Sequence, residues 1–271
     1  MGPPAPAEDS LRASVVICSW RMRDLLLQCL ASLEPEMAAD WEAIVVVNGD
    51  EDGSAVAVRD RFPWVRLIVN ESNRGVGPAR NQGLEAARGR VILLVDADTT
   101  SRAGALTGLV QALEGDSEVG VVGPRLVSPD GERQRTARAF PTILTKIRRR
   151  APARLRAVLP NDDVSDGEQA VNVGYVIGAC QAIRRRALDT VGLLDERIFY
   201  GPEDVDLCLR MWKAGWRVVW DPRHVVVHHE QRLTKRRLLS RLTLRHAWGL
   251  GYFFLKHRYF LHAPAYGVST E

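Results

Sequence analysis

The sequence has no apolar run approaching 18 residues, which excludes a helix that spans a bilayer. Its opening, MGPPAPAEDSLR, lacks an apolar core and carries Glu8 and Asp9. That excludes a signal peptide and predicts a disordered tail over residues 1–12. The four cysteines, Cys18, Cys29, Cys180 and Cys208, form neither a CxxC pair nor a zinc spacing. They read as ordinary thiols of a reducing, cytoplasmic compartment. No repeat or low-complexity tract is present. Acidic residues are missing between Glu230 and Glu271, where eight Lys and Arg fall between Arg232 and Arg258.

The 271 residues are 46% hydrophobic, enough for one large α/β domain with its own core. A formal net charge of +4 makes an anionic partner plausible without identifying one. SVVICS (14–19), EAIVVV (42–47), VRLIV (65–69), VILLV (91–95) and VGVVG (119–123) are short β-branched runs, read as strands. Helical patterns separate them at 25–33, before Arg61, from Gly77 to about Ala87 and from Ala103 to Leu113. That alternation predicts right-handed βαβ units and a mainly parallel sheet flanked by helices. EDVDLCLRMWKAG reads as a further helix, and VVWDPRHVVVHHE as two more short strands.

Residues 128–170 break the pattern, with nine basic residues between Arg133 and Arg156 followed by the acidic patch NDDVSDGE. The segment reads either as a mobile excursion or as an acceptor-binding loop. The segment 231–271, with Leu, Trp, Tyr and Phe at roughly helical spacing among its cations, suits an anionic membrane surface. It suits equally a helix packed on the catalytic domain, and both can hold.

In VILLVDADTT, two carboxylates one residue apart follow a strand. On an extended chain Asp96 and Asp98 share a face, and such a pair is unfavourable without a compensating cation or donors. Ligands of open α/β sheets bind at this end of the strands.

Five blocks in order resemble the inverting GT-A-fold glycosyltransferases of family 2, rhamnosyltransferase-like members above all. They are SVVICSWRMRDLLLQCLASL, VVVNGDEDGS, NRGVGPARNQGLEAARG, VILLVDADT, and GACQAIRRRALDTVGLLDERIFYGPEDVDLCLRMWKAGWRVVWDP with the following histidines. The resemblance implies a GT-A catalytic domain over 13–230 that moves a sugar from a nucleoside-diphosphate donor to a hydroxyl of a glycan or lipid-linked acceptor. Its metal, Mn²⁺ or Mg²⁺, would be held by Asp98 and His228, with Asp96 facing the ribose or the metal's waters. Ser19, Trp20, Asn48, Asp50 and Arg80 would meet the nucleotide-sugar, and Gly178, Ala179 and Cys180 the acceptor. Asp204 would be the base, with Glu203 orienting it or holding the acceptor; Asp206 would cap the helix. A dTDP-rhamnose donor comes first, UDP-sugars next, and no nucleic acid is implied. The place would be cell-envelope polysaccharide biosynthesis, with the protein cytoplasmic or peripheral on the inner membrane face.

Two departures stand out. Arg21 replaces a common asparagine, and Val47 replaces an aspartate that normally contacts the base. They leave open a GT-A module that binds without turnover. VILLVDADTT also fits the DxDxT start of haloacid-dehalogenase-type phosphatases, although that motif normally opens its domain's first strand.

Overall fold

The computed structural model describes residues 11–149, 151–164, 167–230 and 241–266. Four strands, β1 (Ala13–Ser19), β2 (Trp41–Asn48), β3 (Val65–Asn70) and β4 (Val91–Asp96), alternate with α1 (Arg23–Leu33), α2 (Ser54–Arg61) and α3 (Val76–Ala86). All four strands are parallel, in the order β3-β2-β1-β4. Their β-branched side chains alternate between two cores, as the period of two requires. Val15, Val45 and Leu93 face α1 and α4 (Ala105–Glu114), while Val16, Ile44 and Leu94 face the opposite layer. On α1 the buried positions Leu26, Leu30 and Leu33 recur at helical spacing. Each such leucine stabilises the fold by roughly 1.5–3 kcal/mol through the area it removes from water.

Beyond β4 the sheet becomes mixed. After a short strand β5 (Thr99–Ser101), β6 (Val119–Val127) runs past the predicted stop at residue 123. The 128–170 span contains β7 (Ala137–Arg138), α5 (Ile143–Arg148) and α6 (Ala153–Arg156). A reciprocal Thr142–Thr145 capping box starts α5, and the Ile143 amide donates to the Phe260 carbonyl. Next come β8 (Val171–Asn172), β9 (Tyr175–Val176), β10 (Cys180–Arg184), α7 (Arg185–Val191), α8 (Glu203–Lys213) and β11 (Arg217–His228). The last described helix, α9, spans Arg241–His257; residues 231–240 and 267–271 of the basic C-terminal segment lie outside the described residues.

Strand β10 runs antiparallel between β4 and β6, pairing Cys180 with Val95. Its start therefore lies beside the end of β4, and Ala179 accepts the Asp96 amide at 2.9 Å. The two short strands predicted over 218–228 are one strand with an irregularity between Asp221 and Val225. Pro222 lacks an amide to donate there, and the buried Asp221 side chain accepts from the Arg223 amide instead. Pairing of β11 with β5 sets His228 opposite Thr99, next to Asp98.

Helix α9 adds Phe253 and Phe254 to the core layer that contains α8, and Lys256 pairs with Asp195 and Asp206 at 2.8 and 2.6 Å. No helix among the described residues is long and apolar enough to cross a membrane.

Candidate active site

A cavity of about 480 Å³ opens at the carboxyl ends of β1 and β4. The strand order changes direction at this point, with β2 on one side of β1 and β4 on the other. Asp96, Asp98 and His228 meet on its floor with one ligand atom each, all within 4.8 Å of one another. His228 Nε2 stands 3.6 Å from Asp98 Oδ1.

Gln134 fixes the state of that imidazole. Its amide Nε2 donates to the His228 carbonyl at 2.9 Å, so its Oε1 must be the atom 2.7 Å from His228 Nδ1. A carbonyl oxygen only accepts, so Nδ1 carries the proton and Nε2 keeps its lone pair toward Asp98. Burial lowers the His228 pKa and so also favours the neutral ring. Burial, with Asp96 next, pushes the Asp98 carboxyl up to about 7. Two crowded carboxylates and a neutral imidazole lone pair match the donor set of a divalent cation, Mn²⁺ accommodating the nitrogen better than Mg²⁺.

Arg80 joins this floor to the opposite wall. It is 4% exposed, and its guanidinium donates to Asp96 at 2.5 Å, to Glu203 at 3.0 Å and to the Gly178 carbonyl at 3.0 Å. A Cβ on Gly178 would come within 2.8 Å of that guanidinium, so only glycine lets the arginine lie there. The Arg80 fork is thus filled by protein groups at the back of the cavity.

Glu203 and Asp204 open α8, and both line the cavity. Glu203 Oε1 takes the Arg80 bond, while Oε2 is buried with no hydrogen-bond partner among the described residues. Burial raises the Glu203 carboxyl, Arg80 opposes it and Asp204 adds to it, with the result near 7. The upward direction follows from the oxygen that no donor stabilises. Asp204 instead accepts the Gly178 amide at 3.0 Å and is only half-buried. Asp206 points away into α9, fully buried against Arg210, Lys256 and His257.

Of the remaining expected site residues, Trp20, Asn48, Gly178 and Ala179 line the cavity. Asn48 is occupied in shaping its rim, bonded to Asn70, Asn73 and the backbone of Arg74 and Gly75. Ser19, Asp50 and Cys180 stand back from it. Ser19 is buried, Asp50 accepts the Ala55 amide at the start of α2, and Cys180 is buried as a strand partner of Val95. Arg21 pairs with Glu51 at the surface, and Val47 lies in the core.

The sequence reading missed Gln134, which stands behind His228, and Lys146, Arg135, Arg138 and Arg149, which reach the cavity from the 128–170 span. The only signal for the four cations was their density there, and Gln134 had none.

A sequence model of glycosyl transferase family 2 matches residues 14–192. An N-acetylglucosaminyl-diphospho-decaprenol L-rhamnosyltransferase of Mycobacterium tuberculosis is 30% identical over 264 residues, covering 90% of this chain and 84% of the relative. A pre-mycofactocin glycosyltransferase of the same organism is 34% identical over 192 residues, 68% of this chain and 37% of the relative. Among solved structures, the Pyrobaculum calidifontis mannosyltransferase PcManGT with GDP-Man and Mn²⁺ superposes with a TM-score of 0.64 at 20% identity, over 96% of this chain and 68% of that one. GalNAc-T7 with UDP, GalNAc and Mn²⁺ gives a TM-score of 0.62 at 16% identity, over 82% and 44%. Both likenesses are of fold. Family membership removes the phosphatase alternative, and in the fold the DADTT motif follows the fourth strand rather than the first. The chain belongs to glycosyl transferase family 2 and is a glycosyltransferase of GT-A fold.

Proposed function

We propose that this enzyme transfers a hexose, rhamnose first among candidates, from a dTDP- or UDP-linked donor to a hydroxyl of a saccharide on a lipid diphosphate. The observation that carries the reading is that Asp96, Asp98 and His228 face Asp204 across one cavity. The similarity to an enzyme acting on a diphospho-decaprenol acceptor supports the choice of acceptor.

Asp98 and His228 Nε2 would hold a divalent metal, with Asp96 at its edge through the oxygen that Arg80 leaves free. When bound, the metal neutralises charge on the leaving diphosphate. Trp20 and the Asn48 rim line the donor side. Asp204 accepts the proton of the acceptor hydroxyl as its oxygen attacks the anomeric carbon from the face opposite the diphosphate. The bond from that carbon to the phosphate oxygen breaks, its electron pair leaves on the nucleoside diphosphate, and the configuration inverts. The Gly178 amide fixes one Asp204 oxygen and so aims the carboxylate. Glu203, tied to Arg80, positions the wall instead of taking the proton.

The test is release of free nucleoside diphosphate from a panel of dTDP-, UDP- and GDP-sugars with a lipid-diphosphate saccharide, with and without Mn²⁺. Release that needs both acceptor and metal is expected. Full activity in excess EDTA would sink the metal role, and no acceptor-dependent release from any donor would sink the transfer reading.

A further inference from the structure

Three of the four cations that reach the cavity from the 128–170 span already have carboxylate partners. Arg135 pairs with Asp163, Arg138 with Asp162 and Asp163, and Arg149 with Asp162. Two carboxylates of the acidic patch that follows the basic run thus hold these three arginines within the same span. Lys146 has no hydrogen-bond or ion-pair partner among the described residues, although it lines the cavity. Burial, with Arg149 nearby, lowers its pKa to about 8, whereas Asp204 helps to hold its proton. Asp204 and Asp162 attract this ammonium without touching it, so its donors stay open to a further anion.

Lys146 also lines a second opening. On its far side an apolar groove of about 360 Å³ runs between α5, α6 and α9, formed by Ile143, Ile147, Leu155, Leu250 and Phe254. Ile147 and Leu155 are 48% and 46% exposed, so apolar surface stands uncovered along the groove. One lysine therefore lines both the catalytic cavity and the apolar groove.

We infer that this groove seats the isoprenoid tail of the acceptor and that Lys146 binds its diphosphate, leaving the saccharide to reach Asp204. The inference rests on the transfer reading above and adds where the acceptor lies. A molecule with an apolar chain, a doubly charged anionic joint and a polar sugar matches, in that order, the groove, Lys146 and the cavity. Lys146 is the cation to meet the diphosphate because Arg135, Arg138 and Arg149, which share the cavity, are already paired with Asp162 and Asp163.

The probe is farnesyl diphosphate, titrated against the full chain in EDTA so that no metal can bridge its phosphates. Inorganic diphosphate and farnesol are titrated alongside. Wild-type protein should bind farnesyl diphosphate at least on the order of tenfold more tightly than either fragment. Lys146→Gln should weaken farnesyl diphosphate by on the order of tenfold, the loss expected for one charge-assisted contact. Ile147→Asp should weaken it similarly while leaving inorganic diphosphate unchanged. Both variants should still bind nucleoside diphosphate with Mn²⁺, which shows them folded. Farnesyl diphosphate binding no tighter than inorganic diphosphate, or unaffected by either variant, overturns the inference. If Ile147→Asp weakens binding to anionic phospholipid vesicles but not to farnesyl diphosphate, the groove is a bilayer contact and the inference is likewise overturned. Sugar transfer without farnesyl diphosphate binding would remove this inference alone. Binding without donor turnover would remove the transfer reading and leave the groove.

Discussion

Gln134 and His228, 94 positions apart, are joined by two hydrogen bonds that leave the imidazole one chemical option. The pairing presents a neutral Nε2 to Asp98, as a metal ligand requires. Gln134→Leu keeps the side-chain volume and deletes both bonds. Mn²⁺ affinity measured by calorimetry should fall by about 10- to 100-fold, the usual cost of losing a partner behind a metal ligand. Unchanged affinity in a folded variant would remove the role.

Asp204 and Glu203 are separated by what holds them. One is aimed by a backbone amide, the other clamped by a buried arginine. Asp204→Asn should lose roughly 10²- to 10⁴-fold in turnover, the contribution of a general base, while nucleoside diphosphate and metal still bind. Should Asp204→Asn stay near normal while Glu203→Gln is dead, the two roles exchange.

Asp206 yields a stability prediction with a defined pH window. Burial opposes its charge, but His257, Arg210 and Lys256 outweigh burial and lower its pKa to about 2. Its stabilisation is therefore complete above the ordinary carboxylate pKa and is lost as pH falls toward about 2. Asp206→Asn should destabilise the fold by roughly 2 kcal/mol at neutral pH, the size implied by that lowered pKa, because Arg210 and Lys256 lose its charge while Lys256 keeps Asp195. The melting temperatures of variant and wild type should converge below about pH 4. A gap that stays constant down to pH 2 would refute the ion-pair account.

Helix α9 keeps Leu244, Trp248 and Leu255 exposed at 63, 58 and 68% on the side away from Phe253 and Phe254. Because the surrounding segment lacks acids from 231 to 270, co-sedimentation with anionic vesicles is expected, weakening as salt rises. Trp248→Ser should reduce it. Salt-independent association, or none, would leave α9 a packing element only.

Much of this was legible in the sequence because strand and helix periods survive in short apolar runs. The parallel half of the sheet followed from them, as did the acidic pair at the end of β4. Strand β11 was harder, because Pro222 looks like a break and its repair lies in the Asp221 side chain. Arg80 shows a second limit. It reads as a helix-surface cation facing ligand, yet its three acceptors come from β4, the Gly178 turn and α8, elements far apart in sequence. Gln134 carried no local signature and Lys146 only its place in a basic run; their meaning comes from the distant residues and the groove that the fold sets beside them.

Lys256 clasps Asp195 and Asp206 together, and Phe253 closes the layer over α8. The family model's match ends at residue 192, before either helix begins, although the rhamnosyltransferase relative aligns over 90% of this chain. The matched stretch and the interlocked structure therefore have different boundaries. A chimera spliced at the family boundary would inherit the donor half intact but would separate α8, with its carboxylates, from the partners of its own sheet. A working splice between relatives has to fall after α9, where the last clasp has closed.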